Sequence, residues 1–208
     1  MFFYRIIWGI CHILYPLCRL KVSGRENLPK GAAIICPNHS GIMDPIFLYL
    51  ALPVDYRLQS MGKDSLFHIP VLRSIIKAFG AFPVKRGQHD LTAIKTSLQI
   101  LQNGGHLMLF PEGTRVRNGI GKHDGKPAHA HSGIAMFAER TGAPMVPVFI
   151  EPNRKPFQKV RLIFGKPIYI EKTEKHRTTE ELREAASEVL SAAYALGGMR
   201  IGGEPLCR

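Results

Sequence analysis

His39 precedes Asp44 by five residues, across a loop that contains Gly41. That spacing lets a carboxylate turn back onto the imidazole, fix its tautomer and stabilise the imidazolium that forms when the ring takes a proton. A base held in this way contributes typically ~10²–10⁴-fold to a rate. Each residue also has a plainer reading. Asp44-Pro45 is how many helices begin, with Asp as N-cap and Pro at the first position. A loop histidine can simply bond to backbone. Spacing alone leaves both readings open.

A second loop, Phe110-Pro111-Glu112-Gly113-Thr114-Arg115, combines a carboxylate, a tight turn and a guanidinium. Gly113-Thr114 suits a turn with exposed N–H groups, which favour an anion. Arg115 offers a planar fork for phosphate, and Lys85 and Arg86 stand beside Gly87. Taken singly, each of these cations also reads as a solvated charge. Cys36 lies three residues before His39, where a thiol nucleophile could act, but it ends an apolar run and buried cysteine is common. His123, Asp124, His129 and His131 are of metal-ligand types, yet their spacing fits no familiar zinc set. Gly121-Lys122 and Gly125-Lys126 look like phosphate-loop fragments. That pattern fails by one residue, with Pro127 where Ser or Thr is needed.

Strands must deliver these loops. Ala32 to Cys36 is a short apolar run between Gly31 and Pro37, as expected of a buried strand. His106 to Phe110 runs straight into the second loop. Tyr56–Met61, Ala81–Val84, Met145–Ile150 and Val160–Phe164 read as further strands. Helices are expected over 45–52, over 65–79 with an interruption at Pro70, over 90–102 up to Asn103-Gly104, and over 134–140. Thr178–Leu196 reads as a closing amphipathic helix with acidic residues in its first turn. Arg117 to Ser132 reads as a Gly- and His-rich loop. Strands alternating with helices predict a single α/β domain, a mixed sheet flanked by helices, with functional residues on loops at strand ends.

The chain of 208 residues suits one domain. Its hydrophobic share of 45% excludes wholesale disorder. A net charge of +12 favours an anionic partner: nucleic acid, a phospholipid surface or a phosphorylated substrate. The basic residues lack interleaved aromatics and any RNA-binding signature, which argues against nucleic acid. Four cysteines without a C-x-x-C pair indicate neither a disulfide framework nor a zinc site and suit a reducing cytosol. The first twenty residues are apolar and carry Trp8, but Arg5, His12 and Arg19 interrupt them and Pro16 bends or ends a helix. The longest uncharged run, counting neutral His12, is Ile6 to Cys18, with 13 residues, short of the ~18–20 that span a bilayer. No A-x-A-like cleavage site follows. The expectation is an amphipathic helix in the membrane interface over 1–20, with packing on the core as the alternative. The domain is expected over 21–196 and a flexible tail over 197–208.

Four segments in this order resemble the glycerolipid acyltransferase family, specifically the 1-acylglycerol-3-phosphate acyltransferases. His39 and Asp44 match its H-x-x-x-x-D motif, and Phe110 to Arg115 match F-P-E-G-T-R without substitution. Lys63, Gly80 to Val84 and Arg86-Gly87 match a central block, and Ala143 to Val148 the last. The resemblance runs from about Pro29 to Ile170. It implies that His39 removes a proton from an acceptor hydroxyl while Asp44 orients it. It implies an acceptor site of Glu112, Gly113, Thr114 and Arg115, with Arg115 on a phosphate, Lys85 and Arg86 adding positive charge, and Lys63 nearby in the matching block.

The implied reaction moves a fatty acyl group from an acyl-CoA or acyl carrier protein thioester to the sn-2 hydroxyl of 1-acylglycerol 3-phosphate, giving phosphatidic acid. The alternative keeps the chemistry on glycerol 3-phosphate or another lysolipid. No metal and no bound cofactor are expected. The expected partners are the lysophospholipid, the thioester, an anionic membrane surface and acyl carrier protein as one donor. The expected location is peripheral or monotopic, on the cytoplasmic face of a membrane. One departure stands out: relatives usually carry a Lys shortly before the glycine of the next helix, and here the stretch is His129-Ala130-His131-Ser132-Gly133. A histidine there carries no fixed positive charge at neutral pH.

Overall fold

The computed structural model describes residue 9 and residues 19–85, 90–116, 122–123, 126–127, 129–152, 159–171, 176–202 and 205–206. The apolar run behind His39 forms β2 (Ala33–Pro37), buried along its whole length. Successive side chains of a strand point to opposite faces. Ala33 and Ile35 therefore enter one apolar cluster, and Ile34 and Cys36 enter another. Burial on both faces is what a central parallel strand requires, and it explains why the run is continuous rather than alternating.

Six more strands join it: β1 (Leu20–Ser23), β3 (Leu58–Lys63), β4 (Ala81–Val84), β5 (His106–Met108), β8 (Met145–Ile150) and β9 (Val160–Phe164). The order is β1-β9-β8-β2-β5-β3-β4. Neighbours from β8 to β4 pair parallel, β9 runs antiparallel to β8, and β1 runs parallel to β9. The expected α/β domain with a mixed sheet is met. Strand β1 has no counterpart among the strands expected from the sequence. Only half of its side chains are partly buried, so it carries little apolar signal and takes its shape from the pairing with β9.

Helix α1 (Asp44–Ala51) covers the Ala33 and Ile35 face through Phe47, Leu48 and Ala51. The opposite face is covered by α3 (Leu91–Gln102), α4 (Gly133–Thr141) and α5 (Thr179–Leu196). The predicted helix over 65–79 divides into a 3-10 turn at Asp64–His68 and α2 (Pro70–Ala78). Pro70 lacks an N–H, so it is accommodated in the first turn, where no intrahelical partner exists. The strand expected from Tyr56 starts at Leu58, because Tyr56 and Arg57 are turned back by bonds to Pro53 O and Asp55 O. Helix α5 opens with a capping box, Thr178 with Glu181.

Within the stretch read as a loop, β6 (Lys122–His123) and β7 (Lys126–Pro127) pair antiparallel. Met199 bridges to Pro205 in the expected tail, and Ile201 packs against the cluster around α5. The expected interface helix over 1–20 lies outside the described residues except at positions 9, 19 and 20. No described helix is long and apolar enough to cross a membrane.

The topology fixes where a site can form. From β2 the chain crosses through α1 to β3. From β5, the neighbour of β2, it crosses through α4 to β8 on the other side. Adjacent strands whose crossovers leave in opposite directions open a crevice at their carboxyl ends. The loops after β2 and β5 are the two that carry His39 and Glu112.

Candidate active site

Asn38 sets the exit from β2. It is fully buried. Its side chain donates to Ile150 O at 2.9 Å and accepts from Ile150 N at 2.7 Å. An amide side chain thus continues the pairing with β8 for one more step and fixes the direction in which His39 leaves the sheet.

The histidine and aspartate meet. His39 Nδ1 lies 3.0 Å from Asp44 Oδ2. The same oxygen accepts from Ser40 N at 2.8 Å and Gly41 N at 2.7 Å. Asp44 opens α1 but does not cap it, since Met43 holds the N-cap position without a side-chain bond. The carboxylate instead turns back into the loop, where three donors converge on one oxygen. An acceptor at that point assigns the proton to Nδ1 and leaves Nε2 as the ring nitrogen able to take another. Asp44 is fully buried and the His39 side chain is 12% exposed, so the base can be reached and its partner cannot. Phe110 stacks on the imidazole at 3.8 Å between centroids, which limits rotation of the ring.

The second loop grips His39 by its backbone. His39 N donates to Glu112 Oε2 at 2.6 Å, and Val116 N donates to His39 O at 2.9 Å. Glu112 is itself held from the last helix, where Tyr194 OH donates to Oε1 at 2.5 Å. Both carboxylate oxygens therefore serve protein donors, and Glu112 supports the position of His39. Gly113 takes φ 66°, and a Cβ there would collide with the imidazole of His131. The turn needs glycine both for its backbone and for the ring packed against it.

Burial is the main force that pushes the Glu112 carboxyl up to about 7. The Asp44 charge adds to it, and the bonds from Tyr194 and His39 N oppose it. The unfolded chain releases this proton near pH 4.5. Between about pH 4.5 and 7 the folded protein holds more protons than the unfolded one, so stability falls as pH rises through that window. Above it the full cost, on the order of 3 kcal/mol, is present. Glu112→Gln can still donate to the tyrosine oxygen and accept from His39 N. It should match wild type near pH 5 and exceed it at pH 8, by up to about 3 kcal/mol in urea unfolding. A gap that shrank with rising pH would contradict the burial argument.

Beneath these loops lies a cavity of about 510 Å³. His39, Gly113 and His131 line it together with Met61, Val84, Ile94, Phe110, Met136 and Phe137. The lining is largely apolar with a few convergent polar groups, as in small-molecule sites. Cys36 does not line it. Its thiol is fully buried and directed at Ile34 O, and burial pushes its pKa up, which makes it inert as a nucleophile.

Of the residues expected at the site, His39, Asp44, Glu112 and Gly113 come together directly. Thr114 is exposed and Arg115 half-buried in the same loop, and Arg115 pairs with no acidic group among the described residues. Lys63 ends β3 and Lys85 follows β4, both exposed at the carboxyl edge of the sheet. Arg86 lies outside the described residues. No described group of three or more His, Cys, Asp or Glu residues could hold a metal ion. Tyr194 was not anticipated. The available signal was a tyrosine on the apolar face of the closing helix, beside Leu190 and Ala193, where a buried hydroxyl needs a partner.

Residues 19–151 match the family model described as Acyltransferase. The chloroplastic 1-acyl-sn-glycerol-3-phosphate acyltransferase BAT2 of Brassica napus is 28% identical over 177 residues, covering 78% of this chain and 48% of the relative. The 1-acyl-sn-glycerol-3-phosphate acyltransferase of Bacillus subtilis is 31% identical over 179 residues, covering 83% of this chain and 84% of the relative. The crystal structure of the 1-acyl-sn-glycerophosphate (LPA) acyltransferase PlsC from Thermotoga maritima superposes with a TM-score of 0.67 at 25% identity, over 93% of this chain and 79% of that one. The chain spans about half the length of the plant relative and most of the two bacterial ones.

Proposed function

Since this chain belongs to the acyltransferase family, we propose that it transfers a fatty acyl group from an acyl thioester to the sn-2 hydroxyl of 1-acylglycerol 3-phosphate, giving phosphatidic acid. The observation that carries this reading is His39, its Nδ1 bonded to Asp44, lining an apolar cavity. The relatives named above support the choice of acceptor.

The chemistry needs only this chain's groups. His39 Nε2 takes the hydroxyl proton as the oxygen attacks the thioester carbonyl carbon. Asp44 stabilises the imidazolium. The tetrahedral intermediate then collapses, the carbon–sulfur bond breaks, and the departing thiolate takes the proton back from His39. No acyl-enzyme, metal or resident cofactor takes part in this sequence. The apolar cavity suits an acyl chain. Arg115, with Lys63, Lys85 and Arg86, is assigned to the acceptor phosphate, and the turn at Gly113-Thr114 lies beside it. The donor is coenzyme A or acyl carrier protein, and the protein works at the cytoplasmic face of a membrane, assisted by its first twenty residues.

Purified protein supplied with each thioester and a panel of lysolipids, with products identified by mass spectrometry, tests the reading. Product from a panel member other than 1-acylglycerol 3-phosphate alone would remove this acceptor assignment. Arg115→Lys keeps the charge and loses the fork. It should raise the KM for the acceptor by roughly tenfold, the scale of one charged hydrogen bond, and leave the donor KM nearly unchanged. An effect confined to the donor would contradict the assignment of Arg115.

A further inference from the structure

Tyr194 stands near the end of α5, beyond the segments that carry the family motifs, and no step of the reaction above uses it. Both it and Glu112 are buried. Its hydroxyl meets Glu112 Oε1 at 2.5 Å, while Oε2 accepts from His39 N at 2.6 Å. Three groups thus join the closing helix to the backbone of the base: a phenol, a carboxyl group and an amide. The helix end is held in turn. Gly197 N and Met199 N donate to Tyr194 O, and a Cβ at Gly197 would collide with the Phe149 ring of β8. Helix α5 therefore meets the sheet in one register.

The plain use of such a contact is to satisfy a buried hydroxyl. Glu112 gives it a further consequence. Its two oxygens serve different elements, α5 and the loop after β2, so turning the carboxyl group breaks both bonds at once. Its proton content also changes near neutral pH, because burial first, and Asp44 after it, hold the pKa at about 7 against the bonds from Tyr194 and His39 N. His131 stands over the adjacent Gly113, and Arg115 follows in the same loop. The neighbours of Tyr194 on α4 and α5, such as Ala135, Ala186 and Leu190, are apolar. When Glu112 is ionised, both oxygens accept. When it is protonated, one oxygen carries the hydrogen, and an acceptor must stand opposite that oxygen or a buried donor is lost. A phenol both donates and accepts, so Tyr194 can take the hydrogen bond at Oε1. Oε2 then faces His39 N in either state.

We propose that Tyr194 is a positioning residue for the reaction: it keeps Glu112 Oε2 turned to the His39 amide whichever charge Glu112 carries, and so holds the base in place. This role rests on the reading that His39 is the base.

Tyr194→Phe keeps the ring and removes the hydroxyl. Losing a donor that favours the ionised carboxylate raises the Glu112 pKa above about 7. Below the raised value the protonated group has no acceptor at Oε1, and it turns away from His39 N to find one. Above it the ionised group accepts from His39 N as before. Relative to wild type, kcat should fall by about 10–100-fold near pH 6, the scale of a displacement of about 1 Å. It should recover toward wild type near pH 9, with KM for acceptor and donor unchanged throughout. A loss confined to the acceptor KM overturns the proposal. So does a kcat equal to wild type at both pH values, even with lower stability in urea, since the tyrosine would then be structural only.

Glu112→Gln and Glu112→Gln/Tyr194→Phe form a second pair, in which position 112 does not titrate. Removing the tyrosine oxygen frees the amide, so kcat should drop by roughly tenfold between the two, the scale of one lost hydrogen bond, and by the same factor at each pH. Equal kcat, or a ratio that changes with pH, contradicts the role. This pair decides the matter if Tyr194→Phe alone does not fold. A third measurement does not need turnover. In protein labelled with ¹⁵N-histidine, the His39 amide is the resonance missing from His39→Ala. Its short bond places the proton downfield, and Tyr194→Phe should move it upfield more at pH 6 than at pH 9. An unmoved resonance counts against positioning. If wild type acylates no acceptor while this amide moves as expected, the function fails and the positioning role stands.

Discussion

Replacing His39 by alanine should lower turnover by about 10²–10⁴-fold, the usual share of a general base, and leave the fold intact. The two expectations are separable because the residue is held twice. Its backbone is fixed by Glu112 Oε2 and by Val116 N, and neither contact involves the imidazole. Among the described residues its side chain bonds to Asp44 and stacks on Phe110. After truncation Asp44 Oδ2 still accepts from Ser40 and Gly41, so no acceptor is left buried and unpaired. The structural loss is confined to one partly exposed ring. Circular dichroism and urea unfolding should therefore place the variant close to wild type while the rate collapses. Retention of more than about a tenth of the wild-type rate would rule out His39 as the base, because that loss is far below a general base's share.

How much of this was legible in the sequence depended on how local each determinant is. The buried strands β2 and β8 announced themselves as unbroken apolar runs. The pairing of His39 with Asp44 lies within six residues, and its bonds to Ser40 and Gly41 lie in the same loop. The role of Glu112 was less legible. The resemblance assigns it to the acceptor, and its visible partners are Tyr194 and the His39 amide, 82 and 73 residues away in the chain. Nothing in the pattern of either segment specifies that meeting, since it depends on α5 packing across β2 and β8. The same holds for Asn38, whose partner Ile150 lies 112 residues on. Strand β1 was invisible for a related reason. A four-residue edge strand with two exposed positions carries almost no periodic signal, and its existence follows from β9 offering a free edge.

Asp44→Asn is the substitution that divides the two jobs of the carboxylate. In many His-Asp pairs an amide replaces the acid with its NH₂ facing the ring, which forces the wrong tautomer and removes the base altogether. Here the surroundings choose the orientation of the amide. Ser40 N and Gly41 N both point at the oxygen that also meets His39 Nδ1. Two backbone donors favour oxygen at that position, since an NH₂ group there would leave both unsatisfied in a buried site. The asparagine oxygen should therefore remain where the carboxylate oxygen was, Nδ1 should keep its proton, and Nε2 should stay available. What disappears is the negative charge that stabilises the imidazolium.

With the tautomer preserved, the expected loss is on the order of 10²–10³-fold, short of the ~10⁴-fold seen where an amide forces the wrong tautomer. Turnover should recover in part as pH rises only if hydroxide or buffer base replaces the histidine, so a buffer-independent rate is also expected. Steady-state rates with wild type, His39→Ala and Asp44→Asn measured side by side decide the matter. A rate for Asp44→Asn within about threefold of wild type would mean that the buried charge does not act on the imidazolium at all. A loss as large as ~10⁴-fold would mean that the amide had flipped against both backbone donors.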